Sequence, residues 1–292
     1  MKDITTEYIC KILEKMGFPA DKDTLSAVAF TSEEDGEPYA VWKINTAGKT
    51  YVLKEAKDDE LAVYSSFLNI KNLSAPRLFA TVRYGNHDYI LMKYIAGRTL
   101  LALDRSSLIL TLDALIDLQK RYWNADPPTD SFEKALSRRV ARGKHLCDAT
   151  LEQAYGGYLD QFQSLSRTLC HDDLLPFNVI VSADRATFVD WEVAGILPYP
   201  TSLARLLAHG EDAPDAFFYL TEEDRAFAID YYYKNLICEK GISYEEYRRS
   251  LDYCFLYEYC EWVMLGNQYG NTETERFKRY FNLAKDLAKK LI

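Results

Sequence analysis

Three oxygen-bearing side chains fall within a short stretch of this chain: Asp173, Asn178 and Asp190. Residues 179–181 and 186–189 are apolar runs, and the polar residues 182–185 between them are turn formers, so the spacing predicts a β-hairpin. Asn178 then opens the first strand and Asp190 closes the second, which brings an amide and a carboxylate to one rim. Asp173 precedes the first strand in a loop and can reach the same rim. Hard oxygen ligands of this kind suit Mg²⁺, which keeps waters and phosphates as its remaining ligands. The competing account is a plain hairpin whose Asp and Asn side chains only cap turns.

Other elements must position these groups. Residues 7–16 carry Tyr8, Ile9, Ile12, Leu13 and Met16 at helical spacing, and Gly17 ends the run. Residues 25–44 read as two strands around the turn 31–38, which holds a single glycine, Gly36, and four acids. After a second turn at 45–49, the strand 50–55 puts Val52 and Lys54 on one face, because side chains alternate. Residues 58–68 are expected to be helical, with Leu61, Tyr64, Phe67 and Leu68 as the buried stripe and Glu60 in the first turn. Strands over 77–83 and 89–92 follow. Beyond Ser106 the periodicity predicts helices over 108–123, 132–147, 151–165, 221–239, 243–268 and 274–291.

This order resembles that of the protein-kinase-like enzymes. Asp173, four residues and then Asn178 match the kinase catalytic-loop spacing. The wording is similar to that of the aminoglycoside phosphotransferase and choline kinase families: His171-Asp-Asp173 stands where they read His-Gly-Asp or His-Asn-Asp, and Asp190-Trp191 where they have an Asp-aromatic pair. The resemblance implies an α+β, two-lobed protein-kinase-like fold. Its small β-rich N-lobe would span 1–93, its mainly helical C-lobe 94–292, with a hinge at about 92–97. It also implies transfer of the γ-phosphoryl group of ATP or GTP to an alcohol. Asp173 would orient or deprotonate the hydroxyl, and Asn178 and Asp190 would hold Mg²⁺. Lys54, steadied by Glu60 (or by Asp59), would hold the α- and β-phosphates. Val52 and Met92 would line the nucleotide pocket, with the backbones of Lys93 and Ile95 facing the purine. His171 would brace the catalytic loop and Glu192 would support the metal ligands. Three departures stand out: the turn 31–38 is acidic where kinases are Gly-rich, Gln119 replaces a customary His, and Ser202-Leu-Ala204 replaces Asp-Leu-Ala.

On residues 243–268, Phe255, Glu258, Glu261, Trp262 and Leu265 share a helical face. Acids beside aromatic rings can hold cations. No Lys or Arg lies three or four residues from Glu258, so a cationic acceptor, aminoglycoside-like or choline-like, is expected to supply its partner. The plainer account is a core helix with two snorkelling glutamates. A second functional class is a nucleotide-binding pseudokinase that regulates a protein partner. The acidic turn favours it, and the intact Lys54, Asp173, Asn178 and Asp190 oppose it.

The formal charge of -9 argues against nucleic acid as a partner. No apolar run is long enough to span a membrane, and the first residues lack a signal-peptide pattern. The six cysteines are scattered without a Cys-x-x-Cys pair, and the four histidines show no zinc spacing. Buried free thiols in a reducing cytoplasm are the expectation.

Overall fold

A computed structural model describes residues 6–18, 24–31, 36–214, 216 and 218–292. Residues 32–35, which hold three of the four acids of the turn 31–38, lie outside them. The chain divides into two compact units, Met1–Ala96 with Thr187–Glu192, and Gly97–Ala186 with Val193–Ile292. The expected lobes put 187–192 in the second; the segment packs with the first instead. Phe188 N–H donates to Ser74 O at 2.9 Å, and Asp190 meets Lys54.

In the first unit, α1 (Thr6–Lys15) lies on an antiparallel sheet of five strands: β1 (Ser26–Thr31), β2 (Pro38–Thr46), β3 (Lys49–Ala56), β4 (Leu78–Tyr84) and β5 (His87–Lys93), in the order β1-β2-β3-β5-β4. Between β3 and β4, α2 (Glu60–Val63) is one α-turn that continues as a π-turn over Tyr64–Leu68, where a uniform helix over 58–68 was expected. The expected stripe of Tyr64, Phe67 and Leu68 is buried all the same. Ala47 and Gly48 both adopt left-handed φ, 48° and 72°, the requirement of a two-residue turn whose twist matches the flanking strands β2 and β3. Ile9, Cys10, Ile12 and Leu13 of α1 pack with Trp42, Ile44, Tyr51, Leu53, Tyr89 and Leu91 into one core. Alternation then assigns Val52 and Lys54 to the opposite face. The register sets Met92 beside Val52 and Ile90 beside Lys54 on that same face.

The second unit is mainly helical. After β6 (Arg98–Thr99) come α3 (Arg105–Arg121), α4 (Ser131–Gly143) and α5 (Ala149–Ser164), then β7 (Arg167–Cys170) and β8 (Val179–Val181). The chain passes to the first unit within β9 (Ala186–Phe188). It returns through β10 (Gly195–Pro198), α6 (Thr201–Leu207), α7 (Glu222–Tyr232), α8 (Tyr244–Tyr269) and α9 (Glu275–Leu291). Helix starts are set locally. Asp104, Asp148, Thr221, Ser243 and Thr274 each accept a first-turn N–H, satisfying donors that the helix itself cannot. Gly270, at φ 71°, ends α8. α8 packs against α5, α6 and α9, so it is covered on several sides and its interior polar residues must find partners. β7 and β10 pair antiparallel, Cys170 opposite Gly195, and fix the chain just before residues 171–178. Neither was foreseen as a strand, nor α6 as a helix.

Among the described residues no helix is long and apolar enough to cross a membrane. The cysteines are free, and Cys147 and Cys238 are exposed, against the expectation of buried thiols.

Candidate active site

In the first unit Lys54 is the centre of a charged cluster. Its Nζ lies 2.9 Å from Glu60 Oε1 and 2.5 Å from Asp190 Oδ1. Lys54 and Glu60 are buried, while the Asp190 side chain is 43% exposed. Burial opposes the charge on Lys54, but Glu60 and Asp190 outweigh it and hold its pKa above the ordinary value. Burial pushes the Glu60 carboxyl up, and Lys54 draws it back only in part. The segment carrying Asp190 is anchored by Trp191, fully buried, whose indole N–H donates to Phe188 O at 2.9 Å. Asp190 itself sits at φ 66°, a region that Asp tolerates better than most residues. Glu192 Oε2 lies 3.6 Å from Lys57 Nζ. Met92 is buried, and the Lys93 N–H donates to Arg77 O at 2.8 Å.

In the second unit the neighbouring acids Asp172 and Asp173 face different surroundings. Asp172 takes φ 58° and turns inward. There the Arg139 guanidinium meets both its oxygens, Nη2 to Oδ1 at 2.5 Å and Nη1 to Oδ2 at 3.2 Å. The Asp172 side chain is 6% exposed and that of Asp173 is 32% exposed. Asp173 Oδ1 accepts from Arg205 Nε at 3.1 Å and Nη2 at 2.9 Å. Asn178 Nδ2 donates to Asp173 O at 2.8 Å and to Oδ2 at 3.3 Å. With its nitrogen so engaged, the Asn178 amide offers its oxygen to a ligand.

The acceptor residues expected on α8 need correction. Glu258 is buried and not short of partners: Arg205 Nη1 reaches its Oε2 at 2.7 Å and His209 Nε2 at 3.2 Å. Burial alone would push the Glu258 carboxyl up; Arg205 and His209 outweigh it and hold it below the ordinary value. Glu261 accepts from the same Arg205 Nη1 at 2.7 Å and pairs with Arg142. The Trp262 ring is stacked on Tyr280 at 5.7 Å, with the Arg276 guanidinium 4.8 Å from its centroid. Trp262, but neither glutamate, lines a cavity of about 1000 Å³ beside Tyr269, Asn271 and Phe277. The chain's own cations hold the groups that were expected to wait for a cationic acceptor.

The model of the phosphotransferase enzyme family (APH) matches residues 27–233, the greater part of the chain. The chain belongs to the phosphotransferase enzyme family. Its expected class, a small-molecule O-phosphotransferase with a kinase-like fold, follows from that membership and from the solved structures it is similar to. One is a thermostable mutant of aminoglycoside phosphotransferase APH(4)-Ia in complex with ADP and hygromycin B, at 15% identity and TM-score 0.59, covering 98% of each chain. Another is choline kinase LicA from Streptococcus pneumoniae, at 13% identity and TM-score 0.65, covering 97% of this chain and 98% of that one. A third is the Plasmodium vivax ethanolamine kinase, at 15% identity and TM-score 0.64, covering 97% and 88%. No curated protein sequence matches the chain significantly.

The two departures of this family member from its relatives' motifs in the second unit have structural accounts. Ser202, where a carboxylate is customary, accepts the His171 backbone N–H at 2.9 Å, so a hydroxyl holds the loop there. Gln119, in place of His, donates to Tyr199 O at 3.1 Å and accepts from Tyr232 OH at 2.6 Å, tying α3 to the segment after β10. Sequence reasoning passed over Arg139 and Arg205. Arg205 carries a usable signal, because a guanidinium inside the apolar run of α6 is rarely buried unless paired.

Proposed function

We propose that this chain transfers the γ-phosphoryl group of ATP or GTP to a hydroxyl of a small molecule. The observation that carries the reading is the Asp173 carboxylate. One oxygen is anchored by Arg205, the other is bonded only at 3.3 Å, and the side chain is part-exposed in the register where the family places its catalytic acid. Asp173 Oδ2 then accepts the hydrogen bond of the acceptor hydroxyl and orients it for attack. Lys54 binds the α- and β-phosphates, its charge maintained by Glu60. Val52 and Met92 line the pocket for the base, and the backbones of Lys93 and Ile95 face it.

Asn178, through its amide oxygen, and Asp190, through its part-exposed carboxylate, are the residues that would hold Mg²⁺, and each is a hard oxygen donor of the kind this ion takes. Among the described residues no three His, Cys, Asp or Glu side chains group as a metal cage. A two-ligand site completed by phosphate and water is the usual form for this ion. When bound it offsets phosphate charge.

The acceptor needs no positive charge on this reading, because Glu258 and Glu261 are already paired with Arg205 and Arg142. Aminoglycoside-like, choline-like and uncharged alcohols therefore compete on shape and hydrogen bonding. The test is nucleoside diphosphate release from ATP and GTP across a panel of aminoglycosides, choline, ethanolamine and neutral polyols. Acceptor-dependent release that Asp173→Asn abolishes supports the reading. Nucleotide binding with no turnover on any acceptor overturns it in favour of a regulatory pseudokinase.

A further inference from the structure

Arg205 does more than satisfy a buried charge. It sits in α6 among Leu203, Ala204, Leu206 and Leu207, all buried, and its own side chain is 17% exposed. Its guanidinium presents N–H donors in a rigid planar fork. One edge, Nη1, meets Glu258 Oε2 and Glu261 Oε2, both at 2.7 Å. The other edge, Nε with Nη2, meets a single atom, Asp173 Oδ1, at 3.1 and 2.9 Å. Glu258 and Glu261 are themselves held from behind, by His209 at 3.2 Å and by Arg142. The fork is thus fixed by two carboxylates and applied to a third. Two carboxylates suffice to balance one buried cation, so the second edge is not required for neutrality. What it does is stop a rotation. The terminal torsion of an aspartate is broad and roughly two-fold. Two donors on Oδ1 narrow that torsion and leave the other oxygen, Oδ2, held only by the longer Asn178 Nδ2 contact at 3.3 Å, as the one open to a ligand.

We propose that Arg205 is the positioning residue of phosphoryl transfer in this protein: it locks Asp173 through Oδ1 so that Oδ2 is the oxygen presented to the acceptor hydroxyl. The inference rests on Asp173 being the catalytic carboxylate. On this proposal Arg205 acts through Asp173 and not on the reactants, so its loss falls on kcat and spares nucleotide affinity.

The experiment compares wild type, Arg205→Lys, Arg205→Ala, Asp173→Asn and the Arg205→Ala/Asp173→Asn double variant. The acceptor is the best one of the panel, or water in slow Mg-ATP hydrolysis if the panel yields none. Arg205→Ala should lower kcat roughly a hundredfold, the scale of a small misplacement, with nucleotide KM within about twofold. The double variant should be no slower than Asp173→Asn alone, because residues that act as a unit are not additive. Guanidinium chloride at sub-denaturing concentration should restore turnover to Arg205→Ala and not to Asp173→Asn. Arg205→Lys keeps the charge without the fork, and guards against a misfolded alanine variant; it too should lose kcat with KM kept. Unchanged kcat in a folded Arg205→Lys, multiplicative losses in the double variant, or absence of guanidinium rescue would reduce Arg205 to a structural role. Wild type and Asp173→Asn turning over equally, or no turnover with any acceptor, would instead overturn the assignment of Asp173 and leave the inference without its base.

Discussion

Asp172 and Asp173 are adjacent, and their conversion to asparagine should separate folding from chemistry. Asp172 is the counterion of Arg139, which is 2% exposed. That guanidinium is packed between the Phe162 and Tyr257 rings at 4.5 Å and also donates to Tyr158 Oη at 2.7 Å. Burial works against its charge, and Asp172 is the main group that offsets it. Removing one partner of a buried pair costs about 3–5 kcal/mol, because the other charge is stranded. Asparagine keeps an acceptor, so Asp172→Asn belongs at the lower end, about 3 kcal/mol. For a unit of about 190 residues, each kcal/mol moves Tm by about 2–4 °C, which gives a drop of about 6–12 °C. Turnover per folded molecule should persist. Asp173→Asn leaves Arg205 with Glu258 and Glu261, so its stability loss should stay near 1 kcal/mol, while kcat should fall about 10²–10⁴-fold. Circular-dichroism melts supply the folded fraction, and nucleoside diphosphate release well below both midpoints supplies the rate. The reasoning is refuted if Asp172→Asn melts within about 2 °C of wild type, or if it is the more damaging change to turnover.

Three further outcomes are expected. Asp190→Ala should lose the Mg²⁺ dependence of nucleotide affinity with the fold intact; an unaltered Mg²⁺ titration would remove Asp190 from the metal site. The Glu258 carboxyl is held below the ordinary value of 4.5 by Arg205 and His209 despite burial. Its contribution to stability is therefore fully present above that value and lost as pH falls through the lower folded one. The stability gap between wild type and Glu258→Gln should be widest near neutral pH and close below 4.5, measured by urea unfolding across pH; a constant gap would contradict the ion pairing. Asp148 caps α5 through Thr150 and Leu151 N–H, both at 3.0 Å, and binds Lys285 of α9 at 2.8 Å. Asp148→Ala should cost about 1–2 kcal/mol and Asp148→Asn, which keeps the cap, under about 1 kcal/mol; equal losses would mean that the cap contributes nothing.

What the sequence by itself determined was local. The expected helix starts at 221, 243 and 274 coincide with the caps Thr221, Ser243 and Thr274, because a cap and the N–H it satisfies lie within one turn, whereas the starts expected at 108 and 151 fall after the caps Asp104 and Asp148. The opposite faces of Tyr51 and Val52 follow from the two-residue period of a strand. The Asp173–Asn178 spacing sits in a single loop. Tertiary structure decided the partners of charge. Glu258 had none within a helical turn, and its cation came from Arg205, 53 residues away in sequence. Asp172 and Asp173 are alike in type and adjacent, and only a left-handed φ at Asp172 with Arg139 behind it separates a buried counterion from a presented carboxylate. The placement of 187–192 with the first unit was likewise invisible, because Lys54 and Asp190 stand 136 residues apart. The physical reason is common to all three: periodicity and caps act over a few residues, whereas a buried charge selects whichever opposite charge the folded chain brings within hydrogen-bond reach.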